Sequence, residues 1–186
     1  ITASLDQTEE IIATFNALLR IAQIEGSDRR ERFAWNDLHE VIGNVTEVFE
    51  PTAEDAGIEL TIEVPDEHLE VFGDRNLLTQ LLSNLVENAI KHCPSGSKVL
   101  VSGENTPEGL ILRITDNGPG IEPLDQERIF HRFFRGEKSR NSPGNGLGLA
   151  LVKAICDLHG AEIIVSNNDP GTAFEIKFVA VNAIST

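Results

Sequence analysis

Apolar positions in residues 1–24 recur at alternating spacings of four and three. Ile1, Leu5, Thr8, Ile12, Phe15, Leu19 and Ala22 form one seam, widened by Ile11 and Leu18. This a/d pattern belongs to coiled coils and helix bundles and predicts one helix, stopped by Gly26 and followed by a polar linker to Arg32. The seam alone leaves open whether the helix meets a second chain or packs on its own domain. Phe33–Trp35 predicts a short strand. Asn36 is placed as the N-cap of a helix from Asp37 to about Ala56, which Pro51 is expected to bend or divide. Ile58–Val64 alternates as a strand, and Leu69–Phe72 forms a second, short one. Asp74 then caps a strong helix over Arg75–His92, whose apolar side is Leu77, Leu78, Leu81, Leu82, Leu85 and Ala89. Val99–Ser102 and Leu110–Thr115 read as a hairpin. Leu147–Leu158 reads as a helix stopped by Gly160. Glu162–Ser166 and Thr172–Ala180 read as a last hairpin, turned at Asn168–Gly171. Residues 117–145 are rich in Gly, Pro and charge, and predict a long functional loop with a short helix near Glu127–Phe130. Strands pair as hairpins while helices arrive separately, which predicts the α+β class: a mixed, mainly antiparallel sheet with helices on one face.

Composition narrows the function. The 186 residues suffice for one good-sized domain plus an appendage. No apolar run approaches bilayer-spanning length and no signal peptide opens the chain. With no Met, even at position 1, the chain is expected to be a piece of a longer protein, whose parent is left open to a membrane region. A net charge of -15 argues against nucleic acid, whose phosphates need a basic surface. Against that background Arg128, Arg132, Arg135, Lys138 and Arg140 face only one acid in their stretch, Glu137. A basic island in an acidic chain suggests a local anion site such as a triphosphate. The two cysteines have no metal-like spacing and are too few for a disulfide framework, so both are expected to be ordinary cytosolic thiols, with Cys156 on a helix core face.

Four segments carry candidate chemistry. On the helix ending at His92, the residues Asn84, Asn88, Lys91 and His92 cluster within roughly 100° of the helix circumference. A side-chain amide oxygen is a hard ligand suited to Mg²⁺, and Lys91 adds a point charge for phosphate; an ordinary polar surface is the competing reading of this helix by itself. Asp116-Asn-Gly118-Pro-Gly120 offers a carboxylate acceptor for the exocyclic amine of adenine, with glycines that let the base approach. It is also good turn chemistry. Ile129-Phe-His-Arg-Phe-Phe-Arg135 lies within a candidate lid, residues 122–146, where Phe130, Phe133 and Phe134 can pin the base and Arg132, Arg135 and Lys138 can meet a triphosphate. Gly144-Asn-Gly146-Leu-Gly148-Leu149 opens a helix whose free N–H groups and dipole suit phosphate. It is not a Rossmann fingerprint, because the third glycine position falls on Leu149. Nor is it a Walker A loop, because no Gly-Lys-Ser/Thr follows.

In this order and spacing the four segments resemble the ATP-binding domain of bacterial sensor histidine kinases, in the family shared with gyrase-type, Hsp90-type and MutL-type ATPases. The resemblance covers roughly residues 33 to 180. It implies a two-layer α/β sandwich of the Bergerat type over residues 33–186, preceded in 1–32 by the end of a dimerisation helix and a linker. It implies ATP and Mg²⁺ as cofactors, with Asn88 as metal ligand and Asn84, Asn88 and Arg135 closest to the chemistry. The nucleotide is expected against Asn84, Asn88, Lys91 and His92, against Asp116, Gly118, Gly120 and Ile121, and against Phe134, Arg135 and Lys138 of the lid. Gly144, Gly146, Leu147 and Gly148 are expected at the phosphates, and Thr172 beside adenine. His131 stands where the family often has an acid. The implied partners are a helical domain bearing the phosphoacceptor histidine, a response regulator, and a second copy of the chain through residues 1–24. The implied location is the cytoplasm, with a parent open to inner-membrane anchoring.

Hydrolytic members of that superfamily carry a glutamate one turn before the metal-binding asparagine, where it activates water. Here that position is Asn84, which cannot act as a base, and Glu87 points elsewhere on the helix. Phosphoryl transfer by positioning and charge neutralisation is therefore expected over hydrolysis. None of the five histidines lies in a His-Glu/Asp-x-x-Thr/Asn-Pro segment; His39-Glu40 comes nearest but lacks the proline. A serine-directed kinase of the same fold, such as an anti-sigma factor, and a non-catalytic signalling module are the alternatives.

Overall fold

The computed structural model describes residues 2–26, 29–136 and 144–179. Four α-helices and seven strands follow in the order α1 (Thr2–Glu25), β1 (Ala34–Asp37), α2 (Leu38–Asp55), β2 (Glu59–Glu63), β3 (Glu70–Gly73), α3 (Arg75–His92), β4 (Lys98–Thr106), β5 (Gly109–Asp116), α4 (Gly148–His159), β6 (Glu162–Asn167) and β7 (Thr172–Val179). Strands β2-β4-β5-β7-β6 form the main sheet, in which only the β2–β4 pairing is parallel. Strands β1 and β3 form a separate antiparallel pair.

One face of the main sheet is apolar and one is not. In β5 the inward stripe is Leu110, Leu112 and Ile114; its register neighbours on β7 are Phe178, Ile176 and Phe174, and on β4 Val101 faces Ile114. All are buried, together with Leu78, Leu81, Leu82, Leu85 and Val86 of α3 and Leu151, Val152 and Ile155 of α4. The helices cover this face. The opposite face is held by charge: Arg113 of β5 pairs with Glu175 of β7 at 2.5 Å and with Glu104 of β4. Cys156 is fully buried in the helix layer, as expected from its position.

One local expectation fails, and one of the two outcomes expected at Pro51 is excluded. Asp37, not Asn36, caps α2: its Oδ1 accepts from the His39 N–H at 2.9 Å. Asn36 instead points into the protein, where Nδ2 donates to the Ala34 carbonyl at 2.7 Å and the Gly73 carbonyl at 2.8 Å, tying β1 to β3. Asn and Asp cap almost equally well, so strand register decided between them. Pro51 does not divide α2, which runs from Leu38 to Asp55 as one element. Val41, Ile42 and Val45 before the proline and Ala53 after it are all buried, so packing supports the helix on both sides of the lost hydrogen bond.

Helix α1 has two apolar faces. Ile21 and Ile24 are buried in the common core, with Ala17 and Leu18 packed beside them, and the helix lies on α4. The seam residues Ile12, Phe15 and Leu19 are exposed, as is Ile11. His159, at the end of α4, is structural. Its Nδ1–H donates to the Ile155 carbonyl at 2.8 Å, Nε2 accepts the Asp74 N–H at 3.1 Å, and the ring stacks on Phe33.

At the start of α2, Asp37 Oδ2 lies 2.8 Å from His68 Nδ1. The hydrogen bond from His68, outweighing burial and aided by the His39 N–H, lowers the Asp37 pKa from 3.8 to about 2. The same bond raises that of His68 above 6.5. The His68 contribution is complete below its unfolded value and is lost as pH rises through the folded one. The Asp37 contribution is present above 3.8 and is lost as pH falls toward 2. The pair is therefore strongest between those limits. An NMR titration should give His68 a midpoint above the free imidazole value, and Asp37→Asn, which keeps a capping side chain, should return it to normal. An unchanged midpoint in the variant would contradict the pairing.

Candidate nucleotide site

The inward stripes of β5 and β7 both turn polar at the same end of the sheet, at Asp116 and Thr172. Both residues are buried. A buried carboxylate needs donors, and Asp116 Oδ1 accepts the backbone N–H of Gly118 at 2.8 Å and of Thr172 at 3.2 Å. The chain must pass close to achieve this. A Cβ on Gly118 would stand 2.9 Å from that same oxygen, and one on Gly171, whose φ is +113°, would collide with the Asp116 carbonyl. Gly120 turns the loop at φ +69°, and Ile121 follows, packed against the core.

Asn167, which nothing in its sequence context singles out, braces that loop. Its Oδ1 accepts from the Ile121 N–H at 2.9 Å and its Nδ2 donates to the Ile121 carbonyl at 2.8 Å. It closes β6, and it reaches residue 121 only because β6 lies beside β7 in the folded sheet.

Helix α3 supplies the second wall. Asp74 caps it, accepting from the N–H groups of Asn76 and Leu77. Asn84 and Asn88 are half-buried one turn apart, and Lys91 and His92 are exposed in the last turn. The Asn84 amide is already engaged. Its Nδ2 donates to the Gln80 carbonyl at 2.7 Å, and its Oδ1 would be 3.1 Å from a Cβ on Gly148. Asn84 therefore faces the N-terminus of α4. That helix starts at Gly148 behind buried Leu147, which makes no side-chain cap; the Leu147 N–H itself donates to Asn145 Oδ1 at 3.2 Å, and the N-terminal end of the helix dipole suits an anion. Lys91 Nζ occupies the space a Cβ would take on Gly144.

The described part of the lid is folded at its base. The Phe133 N–H donates to the Gly146 carbonyl at 2.9 Å, with Phe133 itself at φ 63°. A Cβ on Gly146 would stand 2.8 Å from the Phe134 carbonyl oxygen. Arg128 lies over the Phe134 ring at 4.8 Å. Lys138 falls outside the described residues. Desolvation, followed by the charges of Lys91 and Arg135, lowers the His92 pKa, and Asp116 opposes them.

The lid base also meets α1. Arg132 pairs with Glu25 at 2.5 Å and Asn145 Nδ2 donates to Thr14 Oγ1 at 3.4 Å. A cleft of about 570 Å³ lies between them, lined by Ile11, Thr14, Phe15 and Leu18 on one side and Phe133, Arg135, Gly144 and Asn145 on the other. It takes in Arg135 and Gly144 but neither Asp116 nor Asn88.

A sandwich with polar ends on two inward stripes, an asparagine helix and an uncapped glycine-led helix defines a nucleotide-binding ATPase or kinase domain. The comparisons agree. Residues 73–182 match the model of the histidine kinase-, DNA gyrase B- and HSP90-like ATPases, and the chain belongs to that family. Sensor-like histidine kinase SenX3 of Mycobacterium tuberculosis H37Rv is 38% identical over 167 residues, covering 88% of this chain and 40% of SenX3. The chain thus spans well under half of that relative. The structure of mycobacterial sensor histidine kinase MprB matches 79% of this chain and 97% of its own at 35% identity, with a TM-score of 0.70. Histidine kinase ThkA, solved in complex with response regulator protein TrrA, matches 94% of this chain and 48% of its own at 26% identity, with a TM-score of 0.75. The architecture is that of the catalytic domain of sensor histidine kinases.

Replacing Asn167 with Ala removes both braces on Ile121. Amide exchange at Ile121 should accelerate by roughly tenfold, with global stability lowered by about 1 kcal/mol. Unchanged protection at Ile121 would show that the loop is held by other contacts.

Proposed function

We propose that residues 33–186 bind Mg-ATP and donate its γ-phosphoryl group to a histidine that lies outside this chain, on a helical domain of the parent protein. Asp116, held by Gly118 and Thr172, receives the adenine amine, with Gly120 and Ile121 beside the base. The uncapped N-terminus of α4 and its glycines receive the phosphates together with Lys91 and Arg135. Phe134 and His92 flank the same region, and Lys138, outside the described residues, is expected to join them.

The observation that carries the reading is Asn84. A hydrolase needs a carboxylate one turn before Asn88. This chain has an amide there, bonded to the Gln80 carbonyl and turned toward Gly148. No group at that position can take a proton from water. The remaining chemistry is positioning and charge neutralisation, which suits transfer to a nucleophile delivered by another domain. An N–P bond forms as the bond to the leaving ADP oxygen breaks. Mg²⁺, when bound, would neutralise phosphate charge, and the amide oxygen of Asn88 is the hard donor on the right face of α3. Among the described residues no group of three or more His, Cys, Asp or Glu is arranged for a metal, so the donor set fits an ion held largely by phosphate and water.

The histidines here do not compete as acceptors. His39, the nearest imitation of an acceptor motif, turns Nδ1 to Asp37 Oδ1 at 3.2 Å and Nε2 to the Pro65 carbonyl at 2.6 Å. Residues 1–32 are read as the end of a dimerisation helix with its linker; the exposed Ile12, Phe15 and Leu19 support a homodimer through that seam. A response regulator is the expected final acceptor. Among the described residues no helix is long and apolar enough to cross a membrane. We place the domain in the cytoplasm, on a parent that is either soluble or anchored.

Incubation with radiolabelled ATP and a histidine-bearing helical domain supplied in trans should place acid-labile, base-stable label on that domain. Asn88→Ala should abolish the label with the fold intact. Free phosphate as the only product would support an ATPase, and acid-stable label a serine-directed kinase.

A further inference from the structure

Strand β2 is an edge of the main sheet, with β4 as its one strand neighbour among the described residues. The Glu59 N–H donates to the Ser97 carbonyl at 2.9 Å, and along a parallel ladder alternate residues turn their backbone to the same side. Glu59, Thr61 and Glu63 therefore face β4, while Leu60 and Ile62 turn their N–H and C=O groups to the open edge. A groove of about 210 Å³ runs beside that edge, lined by Leu60 and Ile62 of β2 and by Gly43, Thr46, Glu47 and Glu50 of α2. The four helical residues follow the spacing i, i+3, i+4, i+7, so they form one stripe facing the strand.

The stripe is held open. Glycine inside a helix is destabilising relative to alanine, yet a Cβ on Gly43 would meet nothing within 4 Å. The fold does not need this residue to be small; the groove does. Ile62, 42% exposed, leaves an apolar side chain bare on the strand side.

We infer that this groove docks a basic, extended segment of a partner protein, which joins the sheet as a further strand beside β2. The backbone groups of Leu60 and Ile62 supply the ladder, and apolar side chains of the segment enter the groove over Ile62 and Gly43. The rim sets the charge of the occupant. Glu47 and Glu50 stand on the helix side, Glu59 and Glu63 on the outer face of the strand, and all four are exposed. Of these, Glu59 alone has an ion pair among the described residues, with Lys98 at 2.8 Å. A segment that alternates basic and apolar residues answers both features. The same acids oppose a second copy of this chain, because two β2 edges paired with each other would set glutamates against glutamates. Protection against such self-pairing is the rival explanation of the acids. It accounts neither for the bare Ile62 nor for a helical glycine with open space beside it. The groove shares no residue with the nucleotide site, so the proposal holds whether or not ATP binds.

The probe is a fluorescent peptide alternating lysine and valine, with the whole chain as receptor. Anisotropy should show saturable binding, and amide exchange at Leu60 and Ile62 should slow in the complex. Gly43→Leu fills the groove from a position with room for it, in a helix that favours leucine, so its melting temperature should equal or exceed that of wild type. It should weaken peptide binding by about tenfold or more, the worth of one excluded apolar side chain. Methylating the peptide nitrogens that face β2 should weaken binding to wild type by a similar factor. Full affinity in Gly43→Leu, or equal affinity for a block peptide of the same composition, would show general attraction to an acidic chain and overturn the proposal. Absence of binding would overturn it too. A self-association that Gly43→Leu abolishes in sedimentation would assign the face to a second copy instead.

Discussion

The buried carboxylate of Asp116 is the constraint around which the rest of this domain is arranged. It continues an apolar stripe of β5 into the helix layer, where an unsolvated charge is costly. The protein meets that cost with backbone. The N–H groups of Gly118 and Thr172 converge on one oxygen, and they do so because the chain at Gly118 and Gly171 comes closer than any Cβ would allow. The β5–β7 pairing, the turn before Thr172 and the loop braced by Asn167 all serve this approach. A site built this way is preorganised, since its donors belong to the sheet itself.

The opposite end of the proposed nucleotide site has a different character. The proposed phosphate side rests on a helix start with no side-chain cap, on Lys91 crowding Gly144, and on a lid base held by the Phe133–Gly146 bond. It also touches α1 through Glu25–Arg132 and Thr14–Asn145. These are exposed or long contacts, worth far less than the buried bonds at Asp116. The proposed base end is therefore held by buried hydrogen bonds and the proposed phosphate end partly by exposed ones. That division suits a donor that must hold its nucleotide while presenting the γ-phosphate to another domain.

Much of this was legible in the chain, for identifiable reasons. Asp74 and Gly160 punctuate helices whose apolar periodicity is strong, so α3 and α4 stand close to their expected limits. The glycine motifs announced close backbone approach, and at Gly118, Gly146 and Gly148 the neighbours are now named. What stayed hidden depended on contacts distant in sequence. Asn167 looks like a strand-end residue until β6 lies beside β7. Asn36 and Asp37 are equivalent as caps until the β1–β3 register turns one inward. The heptad seam was visible in α1, but not the second face, Ile21 and Ile24, which α4 covers. The proline in α2 did not divide the helix, which buries residues on both sides of it.

The account stands or falls on whether Asp116 reads the exocyclic amine of adenine. The most direct measurement is a calorimetric cycle that pairs wild type and Asp116→Ala with ATP and with purine riboside triphosphate, which lacks that amine. Each single change should weaken binding by about 1.5–3 kcal/mol, and the double change should cost little more than either alone. Losses that simply add would mean the carboxylate and the amine do not meet, and the base would have to be recognised elsewhere.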